Sequence, residues 1–110
     1  MEREALARLR ETVGGDEGLA EVTAVFVDDT ERLLDALRAD VRDERAAEVR
    51  RLAHSLKSTA ASFGATRLSE LCRRLEEVGL SGRLGEAPDL LDEIESEFAT
   101  VRTALSWERP

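Results

Sequence analysis

Residues 53–65 read Ala53-His54-Ser55-Leu56-Lys57-Ser58-Thr59-Ala60-Ala61-Ser62-Phe63-Gly64-Ala65, and the reading of the whole chain turns on them. Ala53, Leu56, Ala60 and Phe63 recur at three- and four-residue steps, the signature of one apolar face of an α-helix. That face extends back through Leu52 and Val49, predicting a helix over about 44–63, with Gly64 placed to end it. With Val49 at zero on a helical wheel the apolar residues share an arc of about 100°, and His54 lies about 140° away. His54 is the only histidine and Lys57 the only lysine; the other fifteen basic residues are arginines. One imidazole is thus presented to water from the middle of a helix.

The flanking sequence repeats the one-sided pattern. Leu6, Leu9 and Val13 give a short helix over about 4–13, broken by Gly14-Gly15. Asp16 is expected to cap a long helix over about 17–40, with Val22, Phe26, Leu33 and Leu37 on its buried side. Asp43 is expected to cap the helix that carries His54, although Ala46 is not the glutamate of a capping box. Thr66, or less favourably Ser69, is expected to cap a fourth helix with the stripe Leu68, Leu71, Cys72, Leu75 and Val78, ended by Gly79. A loop over 79–87 follows, and Pro88 suits the first turn of a last helix bearing Leu91, Ile94, Phe98, Val101 and Leu105. The tail from Trp107 to Pro110 is expected to fray. Nothing alternates with period two, so the expected fold is all-α: an up-down-up-down four-helix bundle with a short extra N-terminal helix, one domain over 1–110.

Composition narrows the function. A net charge of −8 leaves no basic stripe for a phosphate backbone and disfavours an anionic membrane surface. No apolar run approaches the roughly 20 residues of a membrane span, and Met1-Glu2-Arg3-Glu4 lacks a signal segment. The single cysteine, Cys72, forms no internal disulfide and suits a reducing compartment, so a cytoplasmic monomer is the default.

The wheel places Arg50, Ser58 and Ala61 on the face of His54, at i−4, i+4 and i+7, with Lys57 at i+3. Small side chains and two cations therefore surround the ring. One cysteine and one histidine are too few for structural zinc, and no metal is expected to be bound. A solvated helix face offers no oxyanion pocket, and no Gly-x-Ser-x-Gly turn is present. An accessible neutral imidazole is, however, a competent nucleophile toward phosphorus, and Lys57 or Arg50 can offset phosphoryl charge. The cluster Asp28-Asp29-Glu31 reads as solvated surface; Arg50, Arg51, Arg73 and Arg74 read either as surface ion-pair partners or as docking contacts.

Ala53-His54-Ser55-Leu56-Lys57-Ser58 through Phe63-Gly64-Ala65 resembles the signature of histidine-containing phosphotransfer (HPt) domains of two-component phosphorelays. Phe26-Val27-Asp28-Asp29-Thr30 and Leu71-Cys72-Arg73-Arg74-Leu75-Glu76 resemble flanking segments of the same family. The resemblance spans about Leu6 to Leu105 and implies a four-helix bundle with His54 as phosphoacceptor, Lys57 as the charge-neutralising residue and Gly64 as the helix-ending glycine that allows close packing of the next helix. It further implies response-regulator receiver domains as partners, with Mg²⁺ on the receiver rather than on this chain, and a sensor or hybrid histidine kinase upstream. Ser58 stands where the family most often has glycine. No Gly-rich nucleotide loop or kinase motif is present, so the chain does not act as a kinase alone. A docking adaptor that transfers nothing, or the phosphoaccepting module of a chemotaxis-type kinase, are the alternatives.

Overall fold

Each one-sided stripe becomes a helix. The computed structural model describes residues 1–107, with α1 at Arg3–Thr12, α2 at Asp16–Arg42, α3 at Ala46–Ser62, α4 at Thr66–Ser81, a single 3₁₀ turn at Leu84–Glu86 and α5 at Ala87–Trp107. The expected fraying of Glu108-Arg109-Pro110, and the placement of the Trp107 side chain, lie outside the described residues. α2 packs on α3 and α5, and α4 packs on α3 and α5, so four helices close around one core while α1 lies across α2 and α3. The bundle is 42 Å long and about 20 Å across, the length of α2 at the ordinary helical rise of 1.5 Å per residue.

Leu37, Val49, Ala53, Leu68, Cys72, Leu75, Leu91 and Ile94 are fully buried. At one end of this aliphatic core Phe26 stacks on Phe63 with ring centroids 4.4 Å apart and meets Phe98 edge-on at 6.1 Å. Cys72 belongs to the core, where burial pushes its thiol up to about 12, so it is protonated and inert.

The α2 stripe differs from the expected one. Leu19, Thr23, Phe26, Thr30, Leu34 and Leu37 are buried, whereas Val22 and Leu33 are only partly covered and Val25 is exposed. A helix in contact with α1, α3 and α5 buries a broader arc than four apolar positions define, and the small hydroxyls Thr23 and Thr30 fit where apolarity alone excluded them.

The expected caps also move. Asp16 is the first residue of α2, not its cap; Gly15 occupies that position, and Asp16 Oδ1 pairs with Arg10 Nε at 2.8 Å, tying α1 to α2. Asp43 ends α2 rather than opening α3, and Arg45 precedes α3. Thr66 begins α4 behind Ala65, its hydroxyl reaching back to the Gly64 carbonyl. In each case the chain leaves one helix through a turn that the preceding helix dictates, leaving no extended residue for a side-chain cap.

Two of these turns share one geometry. The Arg45 amide donates to the Asp40 carbonyl and the Glu44 amide to Val41; likewise Ala65 donates to Ala60 and Gly64 to Ala61. Both are Schellman closures, whose penultimate residue must be left-handed: Gly64 at φ 73° and Glu44 at φ 56°. Glycine meets that demand freely; glutamate pays for it in backbone strain. Glu44→Gly is therefore expected to stabilise the protein by up to ~1 kcal/mol, read as a higher denaturation midpoint with an unchanged slope. A lower midpoint would show that Glu44 makes compensating contacts.

Gly79 does not end α4 and the loop expected over 79–87 is shorter, because α4 continues to Ser81 and left-handed Gly82 (φ 75°) closes it. Pro88 sits in the first turn of α5, where its missing amide costs nothing.

Candidate functional site

The site is assembled by the α3–α4 pair, the most extensively packed helix pair in the molecule. On α4, Ser69, Cys72, Glu76 and Gly79 fall within an arc of about 80° that faces α3. Three of the four are small, and the helices approach closely because of it. The Ser69 hydroxyl donates to the Lys57 carbonyl at 2.9 Å. At the other end a methyl group on Gly79 would stand 2.7 Å from the Arg50 backbone nitrogen and 3.0 Å from the Ala46 carbonyl oxygen. Gly79 thus reads as a close-approach glycine, not as a helix stop. Between these contacts Glu76 is carried to the edge of α3.

Glu76 Oε2 lies 2.7 Å from His54 Nδ1 and Glu76 Oε1 lies 2.6 Å from Lys57 Nζ. The Glu76 side chain is 18% exposed, Lys57 29% and His54 60%, so carboxylate and ammonium form the floor and the imidazole stands above them. Hydrogen bonding from Lys57 first, and from His54 after it, holds the Glu76 carboxyl below the usual carboxylate range against the opposing effect of burial. Glu76 is therefore ionised at neutral pH and only accepts, which puts the ring proton of neutral His54 on Nδ1. Nε2 keeps its lone pair and, among the described residues, has no hydrogen-bond partner.

The remaining residues singled out from the sequence divide into two groups. Ser58 is exposed one turn past His54, its hydroxyl donating to the His54 carbonyl at 3.2 Å. Arg50 is exposed one turn before it, and no carboxylate among the described residues lies within ion-pair distance; Arg51 and Arg73 are held by Glu48 and by Glu70 and Glu77. Ala61 is exposed on the same face, about 10 Å further along at the helical rise, and borders a groove with Ala5, Arg8 and Leu9 of α1. Gly64, about 15 Å from His54 along the axis, is buried and away from the ring. It does end α3, but the segment it admits is the N-terminal arm: the Glu2 amide donates to the Gly64 carbonyl at 2.8 Å, and a methyl there would sit 2.5 Å from the Glu2 carbonyl.

Between α2 and α3 runs an open groove of about 290 Å³ lined by Val22, Val25, Phe26, Leu33, Thr59 and Ser55, the residue after His54. Val25 is 57% exposed, one of few large apolar side chains so placed. Asp28, Asp29 and Glu31 are exposed on α2; Asp29 pairs with Arg32 and Glu31 with Arg102 of α5.

Sequence reasoning missed Glu76 as a member of the site, because it is 22 residues from His54 and on another helix. A signal was present: Glu76 is the one charged residue on a stripe otherwise made of Ser69, Cys72 and Gly79, and a carboxylate facing a neighbouring helix needs a partner there.

Known proteins resemble this chain in sequence and fold. The Phosphorelay protein LuxU of Vibrio vulnificus, from strains YJ016 and CMCP6, is 27% identical over 109 residues, covering 98% of this chain and 94% of its own. The crystal structure of histidine-containing phosphotransfer protein B (HptB) from Pseudomonas aeruginosa PAO1 superposes with a TM-score of 0.91 at 36% identity, over 99% of this chain and 93% of that one. The Hpt domain family matches residues 21–104, from early in α2 to the end of α5, and α1 alone falls outside it. A bundle of this shape, with its one imidazole exposed on the matched segment, makes this chain a member of the Hpt domain family.

Proposed function

We propose that His54 carries the phosphoryl group of a two-component relay, taking it from the aspartyl phosphate of one receiver domain and passing it to the aspartate of another. Membership of the Hpt family makes the chain a histidine phosphotransfer intermediate; the observation that supports His54 is the 2.7 Å contact of Nδ1 with Glu76, which leaves Nε2 as the exposed nucleophile. Its lone pair forms the new P–N bond while the P–O bond to the donor carboxylate breaks and the carboxylate leaves as an anion. The product ring retains Nδ1–H and is cationic, and the Glu76 carboxylate already faces it. Lys57, held by the same carboxylate at 2.6 Å, is one turn from the ring and offsets the phosphoryl charge that arrives. In this reading Mg²⁺ is supplied by the receiver, and a sensor or hybrid kinase feeds the relay through it.

Incubation with a ³²P-labelled receiver tests the proposal. Label is expected on this chain in an acid-labile, alkali-stable form, and failure to accept from any cognate receiver would remove its basis.

The largely apolar groove includes Ser55, the residue after His54, and in this reading gives the receiver a surface to rest on. Val25→Glu is expected to slow transfer about tenfold or more by placing a charge in that contact. Its melting temperature should be unchanged, because Val25 is exposed. Equal transfer rates in the two proteins would place docking elsewhere.

A further inference from the structure

We infer that Arg50 and Leu80, on the α4 side of His54, select among receivers: the pair accepts a receiver that sets a carboxylate beside an apolar side chain against it, and rejects one that does not. The inference rests on His54 as the phosphorylated residue and adds the surface by which a correct partner is told from a wrong one.

Arg50 is placed without a partner of its own. Its neighbours three and four residues away on α3 are Ala46, Ala47, Ala53 and His54, none of them acidic. Across the helix boundary stands Gly79, where even a methyl would come within 2.9 Å of the Arg50 Cα. The other cations within a turn of the ring are engaged, Arg51 with Glu48 and Lys57 with Glu76. Among the described residues Arg50 alone of these three keeps a free guanidinium, in a chain whose net charge of −8 leaves no shortage of carboxylates.

Leu80 is its companion. It is 71% exposed, more so than Val25. It follows Gly79, and since consecutive Cα atoms are about 3.8 Å apart, it lies within about 8 Å of Arg50 from Cα to Cα. On α4 it falls one turn beyond Glu76 and about 40° round from it, on the edge that brings Glu76 to the ring. A cation and an apolar side chain are thereby set side by side in water, about one turn from the nucleophile.

The size of a protein contact makes these residues hard for a receiver to avoid. A stable interface covers about 800 Å² of each partner, a disc of roughly 16 Å radius. Arg50 is about 6 Å from His54 along α3, so a receiver seated over Nε2 lies over Arg50 and Leu80 as well as over the groove of Val25 on the α2 side. Every receiver must reach the same nitrogen with the same aspartyl phosphate, so the chemistry at the ring does not distinguish them; the rim does. A carboxylate opposite Arg50 gains a charge-assisted hydrogen bond, bidentate in the fork of the guanidinium. A neutral or basic group there leaves the cation desolvated and unpaired, and that penalty rejects the partner. Leu80 gains from the exclusion of water only where the facing side chain is apolar.

The organism's receiver domains, each loaded with ³²P from acetyl phosphate and offered one at a time to the full chain, provide the test. Against the preferred receiver, Arg50→Gln is expected to lower kcat/KM about tenfold and Arg50→Glu about a hundredfold, through KM with little change in the saturating rate. Added salt should shrink both effects, whereas a roughly tenfold loss in Leu80→Ser should persist. Melting temperatures should match the parent's, because both side chains are exposed. Replacing the receiver's acidic residues by lysine, one at a time, should yield one variant that the parent accepts poorly and Arg50→Glu accepts well. Equal kcat/KM for the parent and Arg50→Glu would overturn the inference, as would the lack of any rescued lysine variant. A loss confined to the saturating rate would overturn it too, since Arg50 would then act on the phosphoryl charge and not on partner choice. A parent that accepts from none of the receivers would overturn the relay reading, and this inference with it.

Discussion

His54→Gln is expected to take no label from a phosphorylated receiver, while its melting temperature and receiver binding stay close to those of the parent protein. Glutamine fills a similar space and its amide can donate to Glu76, but it has no nitrogen lone pair able to attack phosphorus. The ring is 60% exposed and contributes little to packing, so the stability change should lie within about 0.5 kcal/mol. Label persisting in His54→Gln would move the acceptor to another residue. Loss of label with unaltered signalling output in the cell would instead favour a docking adaptor that transfers nothing. Phosphorylation by ATP and a separate kinase domain, without a receiver, would point to the chemotaxis-type module.

The second large effect concerns the frame that holds this site. Phe26→Ala is expected to cost about 3–5 kcal/mol, a large part of the 5–15 kcal/mol that keeps a domain of this size folded. Its ring is 3% exposed, stacks on Phe63 at 4.4 Å and receives the edge of Phe98 at 6.1 Å, so one truncation removes an aromatic contact that ties α2 to the end of α3 and to α5. The melting temperature should fall by more than about 10 °C. Phe26→Leu should recover most of the loss, since it leaves a smaller cavity. A cost below ~1 kcal/mol for alanine would mean that the core closes over the gap, and the aromatic cluster would not be what joins the three helices.

Much of the fold was legible because it depends on periodicity. The apolar stripe of α3 entered the core as Val49, Ala53, Leu56, Ala60 and Phe63, with Leu52 only partly covered at its edge. The α5 stripe did so as well, with Leu90 and Ala87 added. α2 was read less well, since a helix touching three others has no single polar side, and Leu34, Thr23 and Thr30 became buried through their neighbours. The helix junctions were misread for a local reason. Asp16, Asp43 and Thr66 all have side chains that can cap, but the Schellman closure after α2 and α3 and the Gly14-Gly15 turn fix where the next helix starts.

The sequence by itself determined the number of helices and, α2 excepted, most of their buried faces, and it determined that His54 stands out of the bundle's core, because the angle of a side chain about its own helix depends only on residue count. The exposure of His54, Ser58, Ala61 and Arg50 follows from the same arithmetic. What only the tertiary structure decided is which ring nitrogen is free. That depends on Glu76, brought from α4 by the close approach that Ser69, Cys72 and Gly79 permit, and a contact across 22 residues is set by packing between helices, which the periodicity of either helix does not encode.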